Sequence, residues 1–359
     1  MTRVVVENLT KTFGKTVAVS ELNLEVKDKE FVSLLGPSGC GKTTTLNCIS
    51  GLEKPTKGDI YFDGQAVTEM EAKDRGVGLM FQSYAIFHHM SVFDNLAFPL
   101  QIRRRPEAEI QQEVRSMADF LGIEDLLAVK AARLSLPEMQ KVALGRTLLV
   151  KPKVLLLDEP LSNLDATVRA VVRAELKRLQ KEVAQTTIFV THDQLEAMTL
   201  SDRIAVMNLG KLHQYDAPET VYNHPTNRFV ANFVGSPSMN FVDVSYEVNG
   251  QARLVNSNFA IEVPEWRNHL SKYASGSELT VGIRPERLVV SRSGSGIPAT
   301  VTVTEPIGFE SILTLQLGGL MVRAVVPLKT NFQAGEKVTL SFDKDYLHVF
   351  DRRSGDAII

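Results

Sequence analysis

Eight consecutive residues, Gly36, Pro37, Ser38, Gly39, Cys40, Gly41, Lys42 and Thr43, fit the pattern G-x-x-x-x-G-K-[ST] without a mismatch. Such a loop turns sharply and lays backbone N–H groups around a phosphate chain, so glycine stands wherever a side chain would block the approach. Lys42 supplies a point charge for β- and γ-phosphates. Thr43, followed by Thr44, offers a hydroxyl to Mg²⁺ at the positive end of the next helix. A glycine turn before a chance lysine would carry the same letters, so the flanking elements and the distant residues decide.

Two carboxylates, Asp158 and Glu159, end the apolar run Val154, Leu155, Leu156, Leu157 and precede Pro160. In phosphate-loop chemistry such an Asp holds Mg²⁺, usually through water, and the adjacent Glu polarises the water that attacks the γ-phosphate. An acidic turn after a strand is the plain alternative. A further strand, Thr187 to Thr191, delivers His192 at its end.

The elements that must position these groups are readable around them. Phe31 to Leu35 reads as a short buried strand before the loop, and Thr44 to Ile49 continues as a helix after it. After Ser162, Asn163, Leu164, Asp165 and Ala166 comes a helix with an expected apolar face of Val168, Val171, Val172, Leu176, Leu179 and Val183. Pro106 opens another helix, carrying Ile110, Val114, Met117 and Leu121, which Gly122 closes. Near Gly235, Ser236 and Pro237 the character changes. Beyond this point 279–283, 299–304, 312–317, 321–326, 337–342 and 347–350 read as short strands, which favours a small barrel.

A chain of 359 residues has room for two or three domains at roughly 150 residues each. Forty Lys and Arg against 42 Asp and Glu leave a net charge of −2, so the footprint of a dedicated nucleic-acid binder is missing. No apolar run approaches the ~20 residues that span a bilayer, and the amino terminus lacks a signal-peptide layout. Any membrane link is therefore expected through a partner. Cys40 and Cys48 stand some ~12 Å apart along a helix axis, too far for a disulfide, which reads as reduced thiols facing the cytosol.

Together, Gly36 to Thr43, Gln82, Leu157 to Pro160, Ser162 to Ala166 and Thr191 to Asp193 resemble the motif set of the ATP-binding cassette family, in order and spacing, over residues 2 to about 235. The resemblance implies ATP and Mg²⁺ as ligands. It makes Phe13 the aromatic stacked on adenine, where many members carry Tyr; Gln82 the link between Mg²⁺, attacking water and the membrane partner; His192 the γ-phosphate sensor; and Asp165, with Ser135, a contact across a dimer. The stretch from Tyr84 to Val92 resembles the groove in which importers of this family receive a short cytoplasmic helix of the membrane subunits. His88 stands where they commonly carry Pro. Val281 to Glu286 and Glu305 to Gly308 resemble the oligonucleotide/oligosaccharide-fold (OB-fold) regulatory domain of maltose-type and glycerol-phosphate-type import ATPases.

One motif departs from the family. Its signature Leu-Ser-Gly-Gly-Gln, which grips the γ-phosphate bound to a partner cassette, reads here Leu134, Ser135, Leu136, Pro137, Glu138, while Met139 to Arg146 return to the pattern. Leu136 puts a side chain where bare backbone approaches phosphate, Pro137 removes an N–H donor, and Glu138 adds negative charge. The site completed by this segment is expected to be slow. A heterodimer with a second ATPase whose signature is intact follows, against an ordinary homodimer in which neighbouring groups compensate.

The expected fold is α/β, a phosphate-loop cassette over 1–235 with a helical subdomain at about 87–150, followed by an all-β OB-fold-like regulatory domain over 236–359. The expected function is an ATPase subunit peripheral to the cytoplasmic face of the membrane, energising import of a sugar, polyol or sugar phosphate. Two transmembrane permease subunits and a substrate-binding protein are its expected partners, without nucleic acid. A regulatory subunit of low turnover and a non-transport cassette ATPase remain the alternatives.

Overall fold

The computed structural model describes residues 2–249 and 251–359. They divide into two compact units, one ending at Glu219 and one spanning Thr220–Ile359. The compositional change near Gly235 lies further along the chain than this division.

The strands of the first unit are Val4–Phe13 (β1), Thr16–Val26 (β2), Phe31–Leu35 (β3), Lys57–Phe62 (β4), Gln65–Ala66 (β5), Val77–Met80 (β6), Val154–Asp158 (β7), Thr187–Thr191 (β8), Arg203–Asn208 (β9) and Lys211–Asp216 (β10). Its main helices are Lys42–Ser50 (α1), Val92–Ile102 (α2), Glu107–Leu121 (α3), Leu136–Leu149 (α4), Ala166–Val183 (α5) and Gln194–Leu200 (α6). A six-stranded sheet runs in the order β10-β9-β3-β8-β7-β6, parallel except for β10. Every residue of β3 and of β8 is buried, as expected of strands covered on both faces. A four-stranded antiparallel sheet, β2-β1-β4-β5, shares one core with α1 and the six-stranded sheet, centred on Val6, Leu24, Leu34, Leu46, Ile60 and Val190.

Register decides where the functional groups emerge. Leu35 pairs with Thr191, Asp158 with Val190, and Met80 with Leu157. The residues that follow, Gly36, His192, Glu159 and Gln82, therefore leave the same sheet edge at the carboxyl ends of parallel strands, where open α/β sheets bind ligands.

Helices α2, α3 and α4 pack as a group around Leu96, Val114, Leu121, Val142 and Leu148. Pro106 caps α3 and Gly122 ends it in the left-handed region at φ +64°. Its Ile110, Val114, Ala118 and Leu121 are buried, and burying each large aliphatic among them contributes roughly 1.5–3 kcal/mol. Helix α5 departs from its expected face at one place: Val171 is exposed. The buried stripe is Val172, Leu176 and Leu179, with Val168 and Val183 at its margins. Val171 lies about 100° around the axis from Val172, on the side of Glu175 and Arg178.

In the second unit every strand expected from the sequence is present. Four more, Asn240–Asn249 (β11), Gln251–Asn256 (β12), Phe259–Glu262 (β13) and Val289–Ser291 (β15), accompany Glu278–Ile283 (β14), Ile297–Pro306 (β16), Glu310–Leu317 (β17), Leu320–Pro327 (β18), Lys337–Ser341 (β19) and Leu347–Asp351 (β20). Two five-stranded antiparallel sheets, β13-β12-β11-β14-β20 and β15-β19-β16-β17-β18, enclose one core built on Leu254, Leu279, Leu313, Leu315 and Val349. This is the β-rich OB-fold-like domain.

Candidate nucleotide-binding and catalytic site

The loop from Gly36 to Thr43 leaves β3 and enters α1, and two of its glycines are required by contact. A Cβ on Gly36 would strike the carbonyl oxygen of Met207 and come 2.6 Å from Cys40 Sγ; one on Gly41, at φ +103°, would strike the carbonyl oxygen of Ala18. Gly39, at φ +77°, faces open space, and Ser38 and Thr43 are exposed beside it. The loop is thus a shallow cradle braced from behind and open in front. Lys42 is buried, its ammonium donating to the carbonyl oxygens of Gly36 (2.8 Å) and Pro37 (3.0 Å). Thr45 Oγ1 donates to Gly41 O at 2.9 Å and closes the first turn of α1, with Thr44 half-buried next to it.

Thr43 Oγ1 donates to Asp158 Oδ1 at 3.0 Å, joining the loop to the end of β7. Burial pushes the Asp158 carboxyl above its ordinary range and the charge of Glu159 adds to this, while the Thr43 bond and Lys42 oppose. Two oxygens about 3 Å apart fit adjacent corners of the octahedron that Mg²⁺ demands, and both are the hard donors it selects. The residues present therefore fit a Mg²⁺ site.

Glu159 adopts φ +43°, a left-handed conformation that is uncommon for a side chain of this kind. Its amide donates to Val190 O at 3.0 Å, and its carboxylate lies 3.2 Å from His192 Nδ1 and 3.5 Å from Gln82 Nε2. Gln82 Nε2 also donates to Ser162 Oγ at 3.2 Å, and Asn163 Nδ2 donates to Gln82 O at 3.0 Å. Gln82, Glu159, Ser162 and His192 thus form one constellation, adjacent to Thr43 and Asp158.

Three other expected residues lie outside this constellation. Phe13 is carried at the exposed end of β1, where Lys11 Nζ sits 4.7 Å from its ring centroid; β2, the partner strand of β1, touches the loop through Ala18. Asp165 caps α5, accepting from the amides of Thr167 (3.1 Å) and Val168 (3.0 Å). Ser135 caps α4. Its amide and its hydroxyl both donate to Glu138 Oε2, at 2.7 and 2.8 Å.

Arg75, Arg169 and Glu196, which position the site, escaped the sequence reading. Arg75 is buried and donates to the carbonyls of Cys48 and Ile49 at the C-terminal end of α1, and to those of Thr68 and Met70, fixing the helix behind the loop. Asp193 caps α6 and meets Arg169 Nη1 at 3.2 Å, while buried Glu196 accepts from Thr191 Oγ1 at 2.5 Å. These bonds grip both sides of His192. Glu196 carried a local signal, since Asp193-x-x-Glu196, like Ser135-x-x-Glu138, has the spacing of the capping-box pattern; Arg75 carried none.

On the same unit Phe81, Ala85, Phe87, Phe98, Ile102 and Arg146 line a largely apolar groove of about 480 Å³.

A glycine cradle between a parallel strand and a helix, a Thr–Asp pair fit for Mg²⁺ and a carboxylate held at the neighbouring strand end define a phosphate-loop nucleoside triphosphatase. Family models agree along the chain: ABC transporter over residues 19–162, MalK OB fold domain over 235–288 and TOBE domain over 281–350. Among curated proteins it is 46% identical over 362 residues to the trehalose/maltose import ATP-binding protein MalK of Thermococcus litoralis, covering 97% of each chain. It is 39% identical to the sn-glycerol-3-phosphate import ATP-binding protein UgpC 2 of Agrobacterium fabrum, covering 100% of this chain and 95% of that one. The oligosaccharides import ATP-binding protein MsmX of Bacillus subtilis is 41% identical, with 94% of each chain covered. Among solved structures, cbiO1 from Clostridium perfringens, part of the ABC transporter complex cbiONQ, matches with a TM-score of 0.57 at 30% identity, over 61% of this chain and 89% of that one. The chain belongs to the ABC transporter family, as an ATP-binding subunit whose Mg²⁺-dependent ATP hydrolysis is coupled to transport. Such a subunit is peripheral to the cytoplasmic face of the membrane, and no helix among the described residues is long and apolar enough to cross one.

Proposed function

We propose that this ATPase energises import of a sugar, polyol or sugar phosphate through two transmembrane permease subunits, supplied by a periplasmic or extracellular substrate-binding protein. The observation that carries catalysis at this chain's own site is Glu159, held at the end of β7 between His192 and Gln82 and beside the Thr43–Asp158 pair. The functions for which these relatives are named, import of trehalose/maltose, sn-glycerol-3-phosphate and oligosaccharides, support the substrate class.

In this reading the backbone from Gly36 to Thr44 wraps the phosphates and Phe13 stacks on adenine. Lys42 leaves the Gly36 and Pro37 carbonyls for the β- and γ-phosphates. Thr43, Asp158 and Gln82 hold Mg²⁺, which when bound neutralises charge on those phosphates. Glu159 takes a proton from water as its oxygen bonds to the γ-phosphorus and the bond to the β-phosphate oxygen breaks, yielding ADP and phosphate. His192 holds Glu159 in place and reads the γ-phosphate. Residues 1–235 form the cassette, with 87–150 as its helical part, and 236–359 regulate it. The Phe81–Phe87–Phe98 groove takes the cytoplasmic helix of a permease subunit.

The dimer is the finer part of the proposal. Ser135 already donates through both its amide and its hydroxyl to Glu138, so the segment from Leu134 to Glu138 is a weak donor to a partner's nucleotide. A second ATPase with an intact signature would complete the site on this chain.

Glu159→Gln in the assembled transporter tests the catalytic role. Hydrolysis and transport should fall by about 10²–10⁴ with ATP binding retained. An unchanged rate would make this chain a regulatory ATP-binding subunit instead.

A further inference from the structure

The second unit contains a polar cavity of about 360 Å³ that the proposed function does not use; Tyr222, His224, Arg284, Arg287, Tyr346 and His348 form most of its wall. Arg284 is buried, with 3% of its surface exposed. Its Nη1 donates to the carbonyls of Ala231 (3.2 Å) and Val234, its Nη2 to that of Tyr222 (2.8 Å), and its guanidinium lies 4.0 Å from the Tyr222 ring centroid. Those carbonyls fix the side chain, two of them at the C-terminal end of the helix Arg228–Phe233. They do not neutralise it. Its Nε is buried with no acceptor, and every hydrogen bond that it makes among the described residues goes to a carbonyl rather than a carboxylate.

The rest of the wall is mixed in charge, with Arg287 a second cation and the carboxylates of Asp345 and nearby Glu286 opposing the two. Arg287 stacks on Tyr346 with its guanidinium 3.8 Å from the ring centroid. Asp345 is the acidic side chain on the wall; Glu286, nearby, accepts from the Tyr222 hydroxyl at 2.5 Å. Burial, together with the positive charge of Arg284, holds His348 down at about 4, so the ring is neutral at physiological pH. A buried cation paired only with carbonyls is costly, and an incoming anion offsets that cost. Arginine's rigid donor fork suits phosphate oxygens.

We propose that this cavity binds a small phosphate dianion, as free phosphate or as the phosphate group of a small phosphorylated metabolite, through Arg284, Arg287 and His348. The volume lies in the range of small-molecule sites. The site is separate from the ATP loop and would let a phosphorylated product or its phosphate act on the second unit.

The full-length chain labelled at histidine ring carbons tests this by NMR. It holds seven histidines, and the His348 signal is assigned by its loss in His348→Gln. Inorganic phosphate and glucose 6-phosphate are titrated separately. Saturable shifts of the His348 and His224 signals are expected, weakened about tenfold or more by Arg287→Gln and unchanged by Lys42→Ala, which alters only the ATP loop. The tighter of the two probes identifies the source. Because Arg287 is exposed, its variant folds, and the remaining histidine signals report this. Absence of saturation up to about 20 mM of both probes, or equal affinity in Arg287→Gln, would overturn the proposal.

Discussion

Rebuilding the signature as glycine, glycine and glutamine, with Leu136→Gly, Pro137→Gly and Glu138→Gln together, should make this chain faster and less stable at once. The rate argument starts at Ser135, whose hydroxyl must leave Glu138 Oε2 at 2.8 Å before it can reach a partner's phosphate. A hydrogen bond to a charged acceptor contributes about 1.5–3 kcal/mol, so its release alone costs roughly tenfold or more. Pro137 removes one backbone donor as well, and a lost transition-state donor costs about 10²–10³ in rate. The purified triple variant should therefore hydrolyse ATP about 10²–10³ times faster than the parent chain. The stability argument runs the other way. Glycine within a helix costs up to ~1 kcal/mol per position, while Leu136 is 42% exposed and leaves no cavity behind. A loss of ~1–2 kcal/mol is expected, because the glutamine introduced by Glu138→Gln still supports the capping box. Phosphate release at saturating Mg²⁺ and ATP, followed across chain concentration, gives the rate; a thermal melt gives the stability. Adding Glu159→Gln must erase the gain. If the parent chain alone already turns over as fast as the triple variant, Leu136 to Glu138 do not limit the site and a homodimer suffices.

Phe13→Ala should weaken ATP binding by about 1–3 kcal/mol, the worth of a stacked base, without lowering the melting temperature, because the ring is exposed; titration with a fluorescent ATP analogue checks it. Gly41→Ala should abolish ATP binding and lower the melting temperature, since strain of roughly 1–3 kcal/mol at φ +103° adds to collision with Ala18 O; Gly39→Ala, facing open space, should show the strain alone. Lowering the pH should destabilise the chain through His348. Its folded value, about 4, lies below the unfolded 6.5, so the unfolded state binds more protons between them; its contribution is complete above about 6.5 and is lost as pH falls towards about 4. At ~1.4 kcal/mol per unit the loss is at most ~3–4 kcal/mol, less where solvent reaches the ring. Melting curves measured between these limits should fall more steeply with acid for the parent than for His348→Gln; equal slopes would assign the effect to another group.

What could be read directly from the residues is what short-range chemistry dictates. The loop, its strand and its helix follow from glycine spacing beside an apolar run, and α3 sits between Pro106 and Gly122 because both residues restrict the backbone locally. Val171 misled because a valine counts as apolar wherever it falls, while the face is chosen by what packs against it. Strands β11 to β13 went unread although the sequence offers Asn249-Gly250, a strong turn signal, followed by Ala252 and Leu254 alternating with polar residues. Arg75 was invisible for another reason. A buried charge is recognised by its partners, and Arg75 finds two of its carbonyls 26 and 27 residues away. The alignment of Gln82, Glu159 and His192 likewise depends on register between distant strands.

The backbone at Glu159 carries a consequence for how this sequence can drift. At φ +43° glycine would sit there without the penalty that a Cβ brings, and Pro160 narrows the choices of the preceding residue further. Glycine would relieve the backbone but would forfeit the carboxylate's contacts with His192 and Gln82. If Glu159 is the base proposed above, a copy of the gene released from the demand for ATP turnover would be free to exchange it for a residue that suits this backbone better. A glutamate in a conformation that suits it poorly accords with a position set by activity rather than by robustness.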